Sequence, residues 1–122
     1  MTDEEKLIHK YFDAFNRHDL EGVMACFHAN AVIVPSDGKR IEGHAAVRRH
    51  YQDGFEKIPD GRCDLRLCTG NNGRAVAESR FHGTLASTGK TLAAFGAEVV
   101  EIADGKIKEI RDYHQPSAAK AA

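Results

Sequence analysis

The sequence lacks the marks of most specialised classes. No apolar run approaches the roughly 18 residues of a membrane span, and the opening MTDEEKL is acidic where a secretion signal is basic and then apolar. A cytoplasmic location is the expectation that follows. Charge of one sign is missing too: 17 basic against 18 acidic residues give a net charge of −1, with no cation surplus to neutralise phosphates. Nucleic acid and anionic membrane are therefore not expected as partners. Cys26, Cys63 and Cys68 are an odd number, and the five-residue step from Cys63 to Cys68 points them to opposite faces of a strand. No disulfide is expected, and all three read as small core fillers. The histidines, at 9, 18, 28, 44, 50, 82 and 114, include no i,i+4 pair and no close Cys/His spacing, so no metal site is read from them. The Gly-x-Ser-x-Gly elbow, the phosphate-cradling glycine loop and the dinucleotide fingerprint are absent; GNNGRA has neither the spacing nor the following helix. No cofactor is expected.

What is present is an ordinary globular composition. With 42% hydrophobic and 29% charged residues over 122 positions, the chain is one domain's worth and can bury about two-thirds of its unfolded surface. The first half reads helical. Thr2 and Glu5 form a capping box, and Leu7, Ile8, Tyr11, Phe12 and Phe15 follow at helical spacing. Asp19 caps a second short helix with Leu20, Val23, Met24 and Phe27 as its stripe. A brief strand, AVIVP, precedes the Asp37-Gly38 turn, and a third helix runs from about Ala45 until Ile58-Pro59-Asp60-Gly61, with Val47, Tyr51 and Phe55 inward. Between Arg62 and Gln115, turn signals at Asn72-Gly73, Ser87 to Gly89 and Asp104-Gly105 divide the chain into four strands of an antiparallel meander. Helices followed by strands predict an α+β domain over residues 1–116, with residues 117–122 as a frayed tail.

Ionisable residues in mid-strand carry the functional signal, because a charge facing a core is costly unless paired or used. Glu98 is in phase with Leu92, Ala94, Val100 and Ile102, so alternation sets a carboxyl on the apolar face, where burial raises its pKa. Asp112 shares a phase with Ile110 and His114. Arg80 and His82 share one with Val76 and Glu78, and are either part of the same concavity or simply a solvent face paired across strands. The opposite set, Ala77, Ser79 and Phe81, then forms an outer sheet face, for which a homodimer is expected. Tyr11 is either a core tyrosine or a catalyst; His9, His18, His28, His44 and His50 read as surface residues.

KYFDAFNRHDLEGVMACFHANAVIV, IEGHAAVRRHY and DGKIKEIRDYHQP, in that order and spacing, resemble the nuclear transport factor 2-like superfamily across residues 5 to 116. The resemblance implies a cone-shaped α+β barrel, with three helices packed in a strongly curved antiparallel sheet around an apolar pocket, and dimerisation through the sheet. The opening segment is similar to ketosteroid isomerase, whose oxyanion-hole positions match Tyr11 and Glu98; the position of that enzyme's base falls on Pro35, with Asp37 two residues on. The closing segment is similar to polyketide cyclases of the SnoaL-like type and to limonene-type epoxide hydrolases, whose catalytic aspartate matches Asp112. Epoxide hydrolases also carry an arginine and an acid two apart, where this chain has Arg80 and His82. The resemblance thus implies acid/base isomerisation or ring closure on a small apolar carbonyl or polycyclic compound, a non-catalytic binding pocket, or epoxide hydrolysis. The expected substrate contacts are Phe15, Phe27, Val34, Tyr51, Phe55, Ile110 and His114.

Overall fold

The computed structural model describes residues 1–117. In chain order the elements are α1 (Asp3–Asn16), α2 (Leu20–Met24), β1 (Phe27–Val34), β2 (Ile41–Glu42), α3 (His44–Lys57), β3 (Arg62–Asn71), β4 (Arg74–Thr84), β5 (Thr91–Ala103), β6 (Lys106–Asp112) and β7 (Gln115–Pro116). The caps are those expected. Thr2 accepts from the Glu5 N–H at 3.1 Å while Glu5 accepts from the Thr2 N–H at 3.0 Å, and Asp19 accepts from the Gly22 N–H at 3.0 Å.

The strands form one sheet in the order β2-β1-β6-β5-β4-β3, with β7 added beside β5. It is a mixed sheet, a correction to the all-antiparallel expectation: β1 runs parallel to β6. The long connection through α3 and the meander returns the chain to β1 in the same direction, which no hairpin signal reveals. The meander itself is as expected. Asn72-Gly73 and Asp104-Gly105 close two of its hairpins with φ of 54° and 79°, and 55° and 70°, the left-handed pair that suits a two-residue turn.

α1 is tied to β3 at both ends. Thr2 Oγ1 donates to the Gly70 carbonyl at 2.8 Å, and the Gly70 N–H donates to Glu5 at 3.1 Å. At the far end the Asn16 amide accepts from the Cys63 N–H at 2.7 Å and donates to the Cys63 carbonyl at 2.8 Å. A 14-residue helix is about 20 Å long, close to the reach of the strand from Cys63 to Gly70. Ile8, Tyr11, Phe12, Val23, Val47 and Ile107 fill the core between the helices and the inner sheet face. Of the expected tail only Ser117 is described, and its N–H donates to the Ala93 carbonyl at 3.0 Å; residues 118–122 lie outside the described residues. Among the described residues no helix is long and apolar enough to cross a membrane.

Candidate active site

Helices on one side and the inner sheet face on the other leave a cavity of about 320 Å³, at the lower end of the size of small-molecule sites. Its wall includes Tyr11, Phe12 and Phe15 from α1, Tyr51 and His50 from α3, Cys63, Phe81 and Glu98 from successive strands, and Ile110, Asp112 and His114 from the end of the meander. Register explains the convergence. Glu98 lies directly across from Ala77 on β4 and from Asp112 on β6, so two carboxyls face one another on the inner side of adjacent strands.

Glu98 is 8% exposed. Burial raises its pKa first, the charge of Asp112 raises it further, and the opposing pulls of His114 and the Ser79 hydroxyl leave it at about 7. Asp112 is committed elsewhere: its Oδ1 accepts from the His114 N–H at 2.8 Å and meets the His114 ring Nδ1 at 2.6 Å. That hydrogen bond, followed by the neighbouring Cys63 sulfur, pushes the imidazole up to about 10, so His114 is a cation held against Asp112 at neutral pH. The far ring nitrogen, Nε2, lies 2.8 Å from Ser79 Oγ, which also accepts from the Cys63 thiol at 3.3 Å. Ser79, 1% exposed and absent from the cavity wall, relays hydrogen bonds between these groups.

A second polar pair sits in the same wall. The Tyr11 and Tyr51 hydroxyls are 2.6 Å apart, and burial raises both pKa values well above the ordinary tyrosine range. One hydrogen joins the two oxygens, which leaves the other free to donate to a ligand oxygen. His50 stands at the rim. Partial burial lowers its pKa against the attraction of Asp112 and Asp53.

Cys63 Sγ, a Glu98 oxygen and a His114 ring nitrogen lie within 4.8 Å of one another. They come from β3, β5 and the link between β6 and β7, so no sequence spacing could reveal the grouping. A cation there would have to displace the hydrogen bonds of both the thiol and the imidazole to Ser79, so the cluster as built shares protons.

Of the residues singled out in the sequence, Tyr11, Glu98, Asp112, Phe15, Tyr51, Ile110 and His114 line one cavity. Arg80 and His82 do not. They point to solvent on the outer face, where His82 lies 3.4 Å from Asp64 and Arg80 is paired in register with that same residue. The inner positions of β4 are Ala75, Ala77, Ser79 and Phe81. The expected phase is thus inverted, because this inner face is built from small residues that leave room for the cavity, and the epoxide-hydrolase arrangement of Arg80 and His82 facing Asp112 is excluded. The same inversion removes Ala77, Ser79 and Phe81 from any outer interface.

Phe27 backs the cavity without lining it, its ring packed edge-on against Tyr11 at 5.9 Å. Val34 lies on the face of β1 opposite to Ile33, which does line the cavity. Phe55 belongs to an adjoining cavity of about 240 Å³ that shares Phe15, His50, Tyr51 and Phe81 with the first. Pro35, which matches the isomerase base position, and Asp37 are both absent from the wall; Ser36 between them lines it, and Asp37 turns outward to accept from the Lys39 N–H at 2.9 Å. Cys63 and Cys68 share a face after all. A β-bulge between Leu65 and Leu67 shifts the register by one residue, so they pair with Phe81 and Ala77, both inward. Sequence reasoning missed Cys63, Ser79 and His50 as site residues; the one available signal was that Ser79 alone among the inner β4 residues carries a hydroxyl.

A three-helix layer against a mixed sheet, with titratable groups in an otherwise apolar pocket, defines a nuclear transport factor 2-like, ketosteroid isomerase-like fold. The chain belongs to the SnoaL-like domain family, which it matches over residues 8–110. A nuclear transport factor 2-like protein of unknown function from Burkholderia pseudomallei superposes with a TM-score of 0.83 at 19% identity, over 94% of this chain and 92% of that one. A candidate polyketide cyclase from Xanthomonas campestris gives 0.78 at 26% identity over 89% and 87%. An LEH-like epoxide hydrolase of Mycobacterium tuberculosis gives 0.81 at 15% identity over 93% and 83%. No curated protein matches the sequence.

Proposed function

We propose that the protein is a cofactor-independent acid/base enzyme that moves a proton beside a carbonyl in a small hydrophobic substrate, as an isomerase or a cyclase does. The observation that carries this reading is Glu98: a buried carboxyl in the wall of an apolar cavity, with a pKa of about 7. A group half ionised at neutrality can both take and return a proton, the condition for general acid/base work. The His114 imidazolium, oriented by Asp112, supplies a local positive pole and the Tyr11–Tyr51 pair a hydroxyl donor, both suited to an oxygen that gains negative charge as the proton leaves. Asp112, expected from the sequence to be the base, is reassigned to holding His114, because its Oδ1 is engaged by two groups of that residue.

The test is exchange of solvent deuterium into the α-carbon of an apolar bicyclic ketone such as 2-tetralone, followed by proton NMR. Exchange above the buffer rate, reduced roughly 100-fold in Glu98→Gln, is the expected result, the scale of a lost general base. Binding of the ketone with no exchange above buffer favours the non-catalytic pocket of the same fold.

A further inference from the structure

The cavity holds one nucleophile that proton transfer alone leaves idle. Cys63 is the second residue of β3, buried but present in the cavity wall, and the Asn16 amide clamps its backbone on both sides at 2.7 and 2.8 Å. Its sulfur has a hydrogen-bond acceptor in Ser79 Oγ and lies within 4.8 Å of both a Glu98 oxygen and a His114 ring nitrogen. A second observation points to a ligand at this spot. The Glu98 carboxyl, more than nine-tenths buried, lines the same open volume, with the Ser79 hydroxyl as the hydrogen-bonding neighbour that holds its pKa down.

A soft sulfur nucleophile beside a proton-exchanging carboxyl, in a cavity that also holds hydroxyl donors for an oxyanion, complements an electrophilic carbon conjugated to a carbonyl. We propose that Cys63 is a nucleophile that adds reversibly to α,β-unsaturated carbonyl compounds bound in the cavity. The proposal rests on the proton-exchanging role given to Glu98 above. In the addition the thiol proton passes to the Glu98 carboxylate, and the sulfur electron pair forms the S–C bond at the β-carbon. The C=C π pair moves toward the carbonyl to give an enolate whose oxygen a tyrosine hydroxyl holds. Glu98 then returns the proton to the α-carbon. The sum is a thiol added across a double bond, with nothing oxidised or reduced, and reversal after rotation about the new single bond exchanges cis and trans isomers.

The experiment incubates the full chain with cyclohex-2-enone at neutral pH and locates the adduct by intact and peptide mass spectrometry. Expected is one enone on Cys63, formed about tenfold or more faster than on Cys68, with roughly a 100-fold slowing in Glu98→Gln, the size of effect a positioned base has. Exposure alone predicts the reverse order, since Cys68 is the more exposed thiol. Labelling of Cys68 alone, or of the two thiols in the order of their exposure, overturns the proposal. A Cys68→Ser chain that still takes one enone supports it. The two readings separate on substrate: 2-tetralone has no conjugated electrophilic alkene to form a thioether, so its deuterium exchange reports on the acid/base reading whatever happens to the thiol.

Discussion

At the scale of single residues, two titrations shape the behaviour of the protein. Glu98 must be ionised to accept a proton, so exchange catalysed by the wild type should rise through a pH near 7, and that inflection should vanish in Glu98→Gln. A pH–rate profile of ketone exchange checks this. For stability, the folded pKa of Glu98 is raised from 4.5 to about 7 and that of His114 from 6.5 to about 10. In both cases the folded state binds the proton more tightly than the unfolded chain. Each contribution is therefore complete below the unfolded value and lost as pH rises through the folded one, so thermal stability should fall from pH 5 to pH 10. Asp112→Asn should bring His114 back toward 6.5, visible in the NMR titration of its ring, and flatten the upper part of that curve. The tyrosine pair offers a quieter check. Tyr11→Phe leaves the Tyr51 hydroxyl without its 2.6 Å partner and should cost about 1 kcal/mol in chemical denaturation.

At the scale of elements, the site depends on a close crossing at Gly96. A side-chain carbon there would fall 2.5 Å from the Tyr113 carbonyl and 2.6 Å from the His114 Cα, closer than packed atoms stand. Only glycine lets the segment after β6 lie over β5, so that Tyr113 points out, 61% exposed, and His114 points in. Gly96→Ala should cost roughly 1–3 kcal/mol, the range for overpacking, and should return the His114 titration toward its ordinary value as the Asp112–His114–Ser79 geometry is lost. Denaturant melts and ring NMR read the two effects separately. The helix α1 has a matching role at the other side of the site. Its Asn16 gives the edge strand β3 the two backbone hydrogen bonds at Cys63 that a further strand would otherwise supply.

At the scale of the whole molecule, the inversion of β4 moves the expected interface without removing the case for one. The outer face presents Leu67, Phe95 and Tyr113 at 58%, 43% and 61% exposure, and Phe95 and Tyr113 border a depression with Arg66, Glu78 and Arg80. We propose that a second copy of the chain covers this face in solution. Analytical ultracentrifugation should show a dimer, and Phe95→Asp should shift it to monomer with its helical and sheet content unchanged. A monomer in the wild type at all concentrations removes this proposal.

Most of the fold was legible in the sequence because its signals are local. The Thr2–Glu5 box, the Asp19 cap, the helical stripe of α1 and the Asn-Gly and Asp-Gly turns each act within a few residues, so no tertiary information is needed to read them. The placement of Glu98 was legible for the same reason, since its strand neighbours are apolar over a long run. Tertiary structure alone decided the rest. The parallel pairing of β1 with β6 depends on where the chain returns after α3, and the shared face of Cys63 and Cys68 on one extra residue at a bulge. Which phase of β4 faces inward was set by the space a cavity needs, which favours Ala77 and Ser79 over the larger Arg80 and His82. The surroundings of Asp112 and Cys63 came from contacts among β3, β4, β5 and the segment after β6, which only register brings within hydrogen-bond reach.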